Sequence, residues 1–374
     1  MKNTNWRNIE GRKRTAPLKS LDGIRHNSQT KQDKPRLFIP NEEEKLYGDR
    51  FPSGFRKLKL LGKGGCAMVW LGEDELTGKK VAVKQVSRCS SSAAVESCKR
   101  EIHFGKILNE VRHPANQSVA HLITSKSDRQ DLWAIFEVGG SSLSKALFQL
   151  KGEFVKGERI YQVVHGPLYE EIKRNPEILK EFVKEMLEVL QLFSELNIVH
   201  SDLKPDNILV NEEYYDGVKL IDLGSAFSCI GSGSINTATP EYMPPEALEL
   251  AHSPGDHVAT LAQFSSPWSF DIWSLGMILL EIVSGVPLWM SLKSRVNRFG
   301  RMSFCKGLLA AQGRDPATIL RMQHEVTRNV EQTIHKYAAF TVTRNFVDLL
   351  SKMLAWDPSA RISPEDALSH AYLN

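Results

Sequence analysis

The sequence predicts an α+β protein of two lobes, a small antiparallel-sheet lobe followed by a larger, mainly helical one. Three observations carry that reading. Short β-patterned runs crowd the stretch from Phe55 to Glu137 and are punctuated by glycine turns. One helix-patterned segment, Ser92 to Val111, interrupts them. After Gly139-Gly140, apolar residues recur at helical spacing almost to the end of the chain. The boundaries expected are 1–50 for a basic tail, 51–138 for the sheet lobe and 139–374 for the helical lobe.

The tail comes first. Residues 1–38 carry ten Lys/Arg against three Asp/Glu, a net +7, which leaves −3 on the remainder of a chain whose total is +4. Rich in Asn, Ser, Gln and Lys, this stretch holds too little apolar surface to order itself. Arg12-Lys13-Arg14 reads either as a nuclear-import or weak nucleic-acid patch or as part of a solvated leader. Nothing else suggests a nucleic-acid surface. Met1 to Glu10 has no apolar core and predicts no secretory signal. The longest apolar stretch, Trp273 to Val283, is broken by Ser274, Gly276 and Glu281 and falls short of the roughly 20 residues that span a bilayer. Five scattered cysteines without a C-x-x-C pair argue against zinc sites and disulfides. A reducing intracellular setting follows, cytoplasmic or nuclear, with no membrane partner, and we expect a monomer.

In the sheet lobe, strands are expected at Phe55 to Leu61, Met68 to Gly72, Lys80 to Val86 and Leu132 to Glu137. Lys63-Gly64-Gly65 and Leu76-Thr77-Gly78 supply the turns. In the helical lobe, Pro176 to Leu196 has Pro near its first turn and apolar residues at helical spacing. Two short β runs, Ile208 to Val210 and Val218 to Ile221, follow. Further helices are expected at Ser269 to Val283, Val326 to Tyr337, Thr343 to Ala355 and Pro364 to Ala371. The junction at Glu137 to Gly140 places a cleft between the lobes, where ligands commonly sit.

Chemistry-bearing residues concentrate at that junction. Leu61-Gly62-Lys-Gly64-Gly-Cys-Ala-Met-Val69 is a glycine-rich turn between strands, able to bring backbone N–H groups to phosphate oxygens. Alone it is equally an ordinary hairpin turn. Lys84, in Val81-Ala82-Val83-Lys84, is a lysine in an apolar strand, costly to bury without an anion. Glu101 on the following helix is the carboxylate at the right distance, with Glu96 the alternative. His200-Ser-Asp-Leu-Lys-Pro-Asp-Asn-Ile-Leu-Val210, then Leu220-Ile-Asp222-Leu-Gly224, brings acids and a lysine to tight loops. Asp202 can orient an attacking hydroxyl and accept its proton, and Lys204 can neutralise charge on a transferring phosphoryl group. Asn207 and Asp222 offer the oxygen ligands that Mg²⁺ prefers. Phosphoryl transfer asks for these parts.

In these motifs the chain resembles the eukaryotic-type serine/threonine protein kinases, from about Phe55 to Leu373. Gly62, Gly64, Val69, Lys84, Glu101, His200, Asp202, Lys204, Asn207, Asp222, Gly224, Glu246, Asp271-Ile-Trp273 and Asp357 to Arg361 follow the family's order. The resemblance implies the bilobal kinase fold, ATP and Mg²⁺ as cofactors, and transfer of the γ-phosphate to Ser/Thr hydroxyls of protein substrates. Lys84 would then hold the α- and β-phosphates beside Glu101, and Asp202 would be the base. Lys204 would contact the γ-phosphate, and Asn207 and Asp222 would bind the metal. Val69, Ala82 and Leu209 would sandwich adenine and Leu61 would also contact the nucleotide, with Phe136 as gatekeeper and Glu137 and Val138 as hinge. Asp271 would brace the catalytic loop, and Glu246 would pair with Arg361. Lys204 and Ala238-Thr239-Pro-Glu-Tyr-Met-Pro-Pro-Glu246 point to the serine/threonine branch, Thr239 bridging Asp202 and Lys204.

The chain also departs from the family. Ala67 stands for the third glycine, Leu223 for the usual Phe, and Gly105 for a bulky apolar residue, where a gap is expected. Ser201 replaces the Arg that pairs with a phosphorylated activation segment. Activity is therefore expected not to depend on phosphorylation of Ser232, Ser234 or Thr237. These departures also frame the alternative, a catalytically weak pseudokinase serving as a scaffold or allosteric partner. Gly152 to Leu168 and Trp289 to Gln323 exceed a minimal kinase. In the latter, Arg295, Arg298 and Arg301 read as a basic helical stripe for an acidic partner or as a solvated face.

Overall fold

The computed structural model describes residues 50–64, 67–155, 158–211, 217–235, 239–251, 253–290, 294–298, 301–310 and 315–374. All belong to the compact unit Asp49–Asn374. The basic tail with Arg12-Lys13-Arg14 lies outside the described residues, as do Gly65, Cys66, Thr237 and Ala238.

Five antiparallel strands build the first lobe in the order β1-β2-β3-β5-β4. They are β1 (Phe55–Lys63), β2 (Met68–Asp74), β3 (Lys80–Ser87), β4 (Leu122–Ser127) and β5 (Asp131–Glu137), with helix α1 (Ser92–Glu110) between β3 and β4. Ser91 starts α1, its hydroxyl accepting the Ala94 N–H at 3.2 Å. Because side chains alternate across a pleated strand, the sheet has two apolar faces. Val81, Val83, Trp133 and Ile135 pack with Phe51, Phe55 and Trp70 on one face. Val86, Leu122, Leu132 and Ala134 pack against Cys98 and Ile102 of α1 on the other. Strand β4 escapes the sequence pattern because it is an edge strand whose residues after Leu122 are half-exposed or exposed.

The gap expected at Gly105 does not exist. A Cβ on Gly105 would sit 3.0 Å from Leu122 Cβ and 3.1 Å from its Cδ2, so β4 fills the space that the missing side chain leaves.

The second lobe runs through β6 (Ser141–Ser142), α2 (Leu143–Leu147), β7 (Phe148–Val155), β8 (Glu158–His165), α3 (Pro167–Arg174) and α4 (Pro176–Glu195). Next come β9 (Ile198–Val199), β10 (Ile208–Val210), β11 (Val218–Leu220), β12 (Phe227–Ser228), α5 (Pro245–Leu250), α6 (His257–Leu261) and α7 (Ser269–Ser284). The chain ends through β13 (Ser294–Arg298), β14 (Arg301–Cys305), α8 (Pro316–Thr327), α9 (Val330–Tyr337), α10 (Arg344–Met353) and α11 (Pro364–Leu368). Asn175 caps α4 by accepting the Glu177 N–H at 3.2 Å, and Pro176 follows where its missing N–H costs nothing. Every residue of α7 is buried, so this all-round apolar helix forms the axis of the core. Gly285 ends it in the left-handed region, at φ +70°.

Two expectations are corrected here. Val326 to Tyr337 is not one helix. It breaks at Arg328-Asn329, and the Asn329 side chain starts α9 by accepting the Gln332 N–H at 2.9 Å. Arg295, Arg298 and Arg301 lie on β13 and β14, with Arg298 and Arg301 paired across the strands at the hairpin end. A spacing of three suggested a helix, but Ser294–Arg298 and Arg301–Cys305 pair as antiparallel strands. Hairpin β7–β8 falls in the other long segment, and β8 pairs in parallel with β13 through Tyr161–Ser294, Gln162–Arg295 and Val163–Val296. The two segments therefore make a single sheet, β14-β13-β8-β7.

Candidate active site

The central strand β3 presents Lys84 opposite Val69 on one side and Ala134 on the other. Its ammonium lies 2.6 Å from Glu101 Oε2 and 2.9 Å from Asp222 Oδ1. Glu101 is buried on α1, whereas Glu96 pairs at the surface with Lys99 at 2.7 Å and takes no part. Burial works against the Lys84 charge, but Glu101 and Asp222 outweigh it and hold the pKa above the ordinary lysine range. Burial pushes the Glu101 carboxyl upward, with Lys84 opposing. Burial also works to raise Asp222, yet Lys84 prevails and holds it at about 2. The triangle thus fixes a cation between two acids.

The loop from His200 to Asn207 is braced from below. Asp271, in the first turn of α7, accepts the His200 N–H at 2.7 Å and the Ser201 N–H at 3.0 Å. Those bonds hold Ser201 in the left-handed region at φ +61°, an uncommon place for a residue with a side chain. His200 Nε2–H donates to the Ile221 carbonyl at 2.9 Å, and the Ile221 N–H donates to the Asn207 carbonyl at 2.9 Å. Asp222 is thereby set beside Asn207.

Within the loop the polar contacts close on one another. Lys204 Nζ donates to Asp202 Oδ2 at 2.7 Å and to Thr239 Oγ1 at 2.9 Å. Thr239 Oγ1 in turn donates to Asp202 Oδ1 at 2.8 Å. The Asn207 amide donates to the Asp202 carbonyl at 2.8 Å and to Asp202 Oδ2 at 3.1 Å. Both carboxylate oxygens of Asp202 are therefore oriented.

The cleft wall follows from strand register. Ala82 faces Phe136 across β3 and β5, and Gly62 faces Val69 across β1 and β2. Gly64 N–H donates to the Ala67 carbonyl at 2.9 Å, closing the described part of the turn. Val69, Ala82, Phe136 and Leu209 are partly exposed while Met68, Val81 and Val83 beside them are buried, as expected for residues that line a cleft. Leu61 and Val138 are more open. Leu209 lies under the hinge, its Cδ1 3.0 Å from where a Cβ of Gly139 would be. Glu137 uses its N–H on the His121 carbonyl at 3.1 Å and its carboxylate on Lys219 at 2.7 Å.

Residues 55–373 match the family model described as the protein kinase domain. The chain belongs to the protein kinase family. Mitogen-activated protein kinase 10 of Oryza sativa subsp. japonica is 27% identical to this kinase domain over 339 residues, covering 87% of this chain and 49% of its own. Mitogen-activated protein kinase HOG1 of Arthrobotrys oligospora is 27% identical over 339 residues, with 88% and 83% covered. Mitogen-activated protein kinase 20 of Arabidopsis thaliana is 26% identical over 339 residues, with 87% and 49% covered. The chain spans about half the length of the rice and Arabidopsis relatives. Among the described residues, no helix is long and apolar enough to cross a membrane.

Away from the cleft, Arg361 forks onto Glu246 at 2.6 and 2.7 Å within the kinase core. Sequence reasoning missed three contributors near the site: Ser97 and Arg100, which reach from α1 to the Gly224 carbonyl, and Lys219 behind the hinge. Ser97 stands three residues before Arg100 and four before Glu101, so helical spacing sets it beside both on α1.

Proposed function

We propose that the chain transfers the γ-phosphoryl group of ATP to serine and threonine hydroxyls of protein substrates. The observation that carries this reading is the closed set Asp202–Lys204–Thr239–Asn207, facing the Lys84–Glu101–Asp222 triangle across the backbone link at Ile221. Lys84 would hold the α- and β-phosphates. Asp202 would orient the acceptor hydroxyl and take its proton on a carboxylate oxygen, and Lys204 would meet the charge on the γ-phosphate. Because the Asn207 amide nitrogen is committed to Asp202, its carbonyl oxygen is the ligand it offers. With the Asp222 carboxylate ionised, this makes a hard, all-oxygen donor set that suits Mg²⁺. Asn207 and Asp222 would hold the metal, which when bound neutralises phosphate charge. Val69, Ala82 and Leu209 would enclose adenine, with Leu61 and Phe136 at its borders and Glu137 and Val138 along the hinge.

Thr239 favours the serine/threonine branch because its hydroxyl both donates to Asp202 and accepts from Lys204. The pseudokinase alternative finds no support: Lys84, Asp202, Asn207 and Asp222 are all present, Lys84 pairing with Asp222 and Asn207 with Asp202. Transfer of radiolabelled phosphate from ATP to protein, measured beside Asp202→Asn, tests the proposal. Wild-type counts should exceed those of the variant by at least ~100-fold, and equal counts would overturn it.

A further inference from the structure

We infer that Ser97, Arg100 and Ser201 are positioning residues: a clamp of hydrogen-bond donors that holds the Asp222 turn and the Glu101 helix in register for phosphoryl transfer without any phosphate on the chain. The inference rests on the kinase reading above and extends it to regulation.

Asp222 sits in the left-handed region at φ +66°, and Leu223 to Ser225 follow as one short turn of 3₁₀ helix. Such a turn, with a glycine inside it, has little to hold its shape. Here two consecutive carbonyls are gripped from opposite sides. The Gly224 carbonyl accepts from Ser97 Oγ at 3.0 Å and from Arg100 Nη1 at 3.0 Å, both on α1. The next carbonyl, of Ser225, accepts from Ser201 Oγ at 2.8 Å in the catalytic loop.

The spacing of the α1 donors is what gives the clamp its meaning. Ser97, Arg100 and Glu101 stand at i, i+3 and i+4, so one helix face delivers the Glu101 carboxylate to Lys84 and two donors to the Asp222 turn. The contact is tight: a Cβ on Gly224 would come within 2.3 Å of Ser97 Oγ. Any swing of α1 away from the cleft would break the Lys84–Glu101 pair and both bonds to Gly224 together. Ser201 closes the other side from a buried position whose backbone is fixed by Asp271. Switches that order a loop by phosphorylation do so by creating new pairs between arginine and phosphate. Position 201 carries no cation for that purpose, and its hydroxyl is already engaged.

The test uses the full chain, treated with phosphatase until intact mass shows no phosphate, with S97A/R100Q, R100K and S201G alongside. S201G removes the whole side chain, Cβ and hydroxyl together, at a φ that glycine adopts freely, so it should fold as well as the wild type. The dephosphorylated wild type should keep its turnover within about twofold. S97A/R100Q and S201G should lose about tenfold in kcat with the KM for ATP changed less than about threefold. R100K, which keeps a cationic donor, should recover most of the loss. Hydrogen exchange at 92–110 and 222–226 should quicken in S97A/R100Q while the melting temperature stays put, which a merely structural role would not produce. Loss of wild-type turnover on dephosphorylation, or full turnover and unchanged exchange in S97A/R100Q and S201G, would overturn the clamp. A wild type no better than Asp202→Asn would instead bring down the kinase reading, and the exchange measurement would still decide the clamp.

Discussion

Thr239 holds its place through two bonds, one given to Asp202 and one taken from Lys204. Thr239→Val keeps the shape and removes both bonds. Steady-state phosphate transfer should show kcat reduced by about tenfold to hundredfold, as the loss of one or two such bonds in the transition state implies, with the KM for ATP little changed. Thr239→Ser should stay close to the wild type. Substituting Ser232, Ser234 and Thr237 together by alanine should leave turnover within about twofold, because Ser201 offers no cation to a phosphate there. A dead triple variant would refute that. Lys84, Asp202, Asn207 and Asp222 could be singled out in the sequence because their types suit phosphate and Mg²⁺ and their order follows the resemblance to protein kinases. The acceptors of Ser97, Arg100 and Ser201 were not. They are main-chain carbonyls, and a carbonyl leaves no mark in an alphabet of side chains.

Helix α1 and strand β4 divide one volume between them. Gly105 supplies none of it and Leu122 supplies the rest, so exchanging the two sizes should be tolerated better than enlarging one alone. Gly105→Leu should destabilise by roughly 2 kcal/mol through overpacking, measured by urea unfolding, and Gly105→Leu with Leu122→Ala should recover at least about half of that. Recovery of nothing would mean that the contact does not set the spacing. A similar argument governs α5 and the loop after α10. Arg361→Met would leave Glu246 buried without its partner, and unfolding should report a loss of about 3–5 kcal/mol, part of it restored by adding Glu246→Gln. Helix α4 could be read from its apolar spacing, and strands β1 to β3 and β5 from short β-patterned runs bounded by turn residues, β5 being an apolar run buried on both faces. Strand β4 could not, since its polar edge sequence resembles a loop.

The core of the larger lobe encloses, besides Asp271 and Glu246, a carboxylate whose burial makes stability vary with pH. Glu281, on the central helix α7, accepts a bond from the Tyr242 hydroxyl and the Leu288 N–H at 3.1 Å. Burial pushes its pKa from 4.5 up to about 7. A carboxyl raised in the folded state favours folding while it is protonated. That contribution is full below about pH 4.5 and is lost as pH rises through about 7. Glu281→Gln should therefore flatten the stability curve between about pH 5 and 8, gaining up to ~3 kcal/mol on the wild type at the alkaline end. Thermal melts across that range check it, and parallel curves would contradict it. The two-lobed architecture was legible because its halves differ in periodicity, while the joining of two distant hairpins was hidden, since pairing between remote segments follows from no local pattern.

That joining makes each hairpin conditional on the other. A lone two-stranded ribbon is marginal in water, and β8 meets β13 only after the chain has travelled through α3, α4 and α7. The shared sheet therefore closes a long loop of chain, at an entropic cost, and a product lacking β13 and β14 would leave β8 an open edge inviting unwanted strand pairing. By the same logic the pair must be inherited or discarded together: a descendant that shed one hairpin would soon find the other a burden.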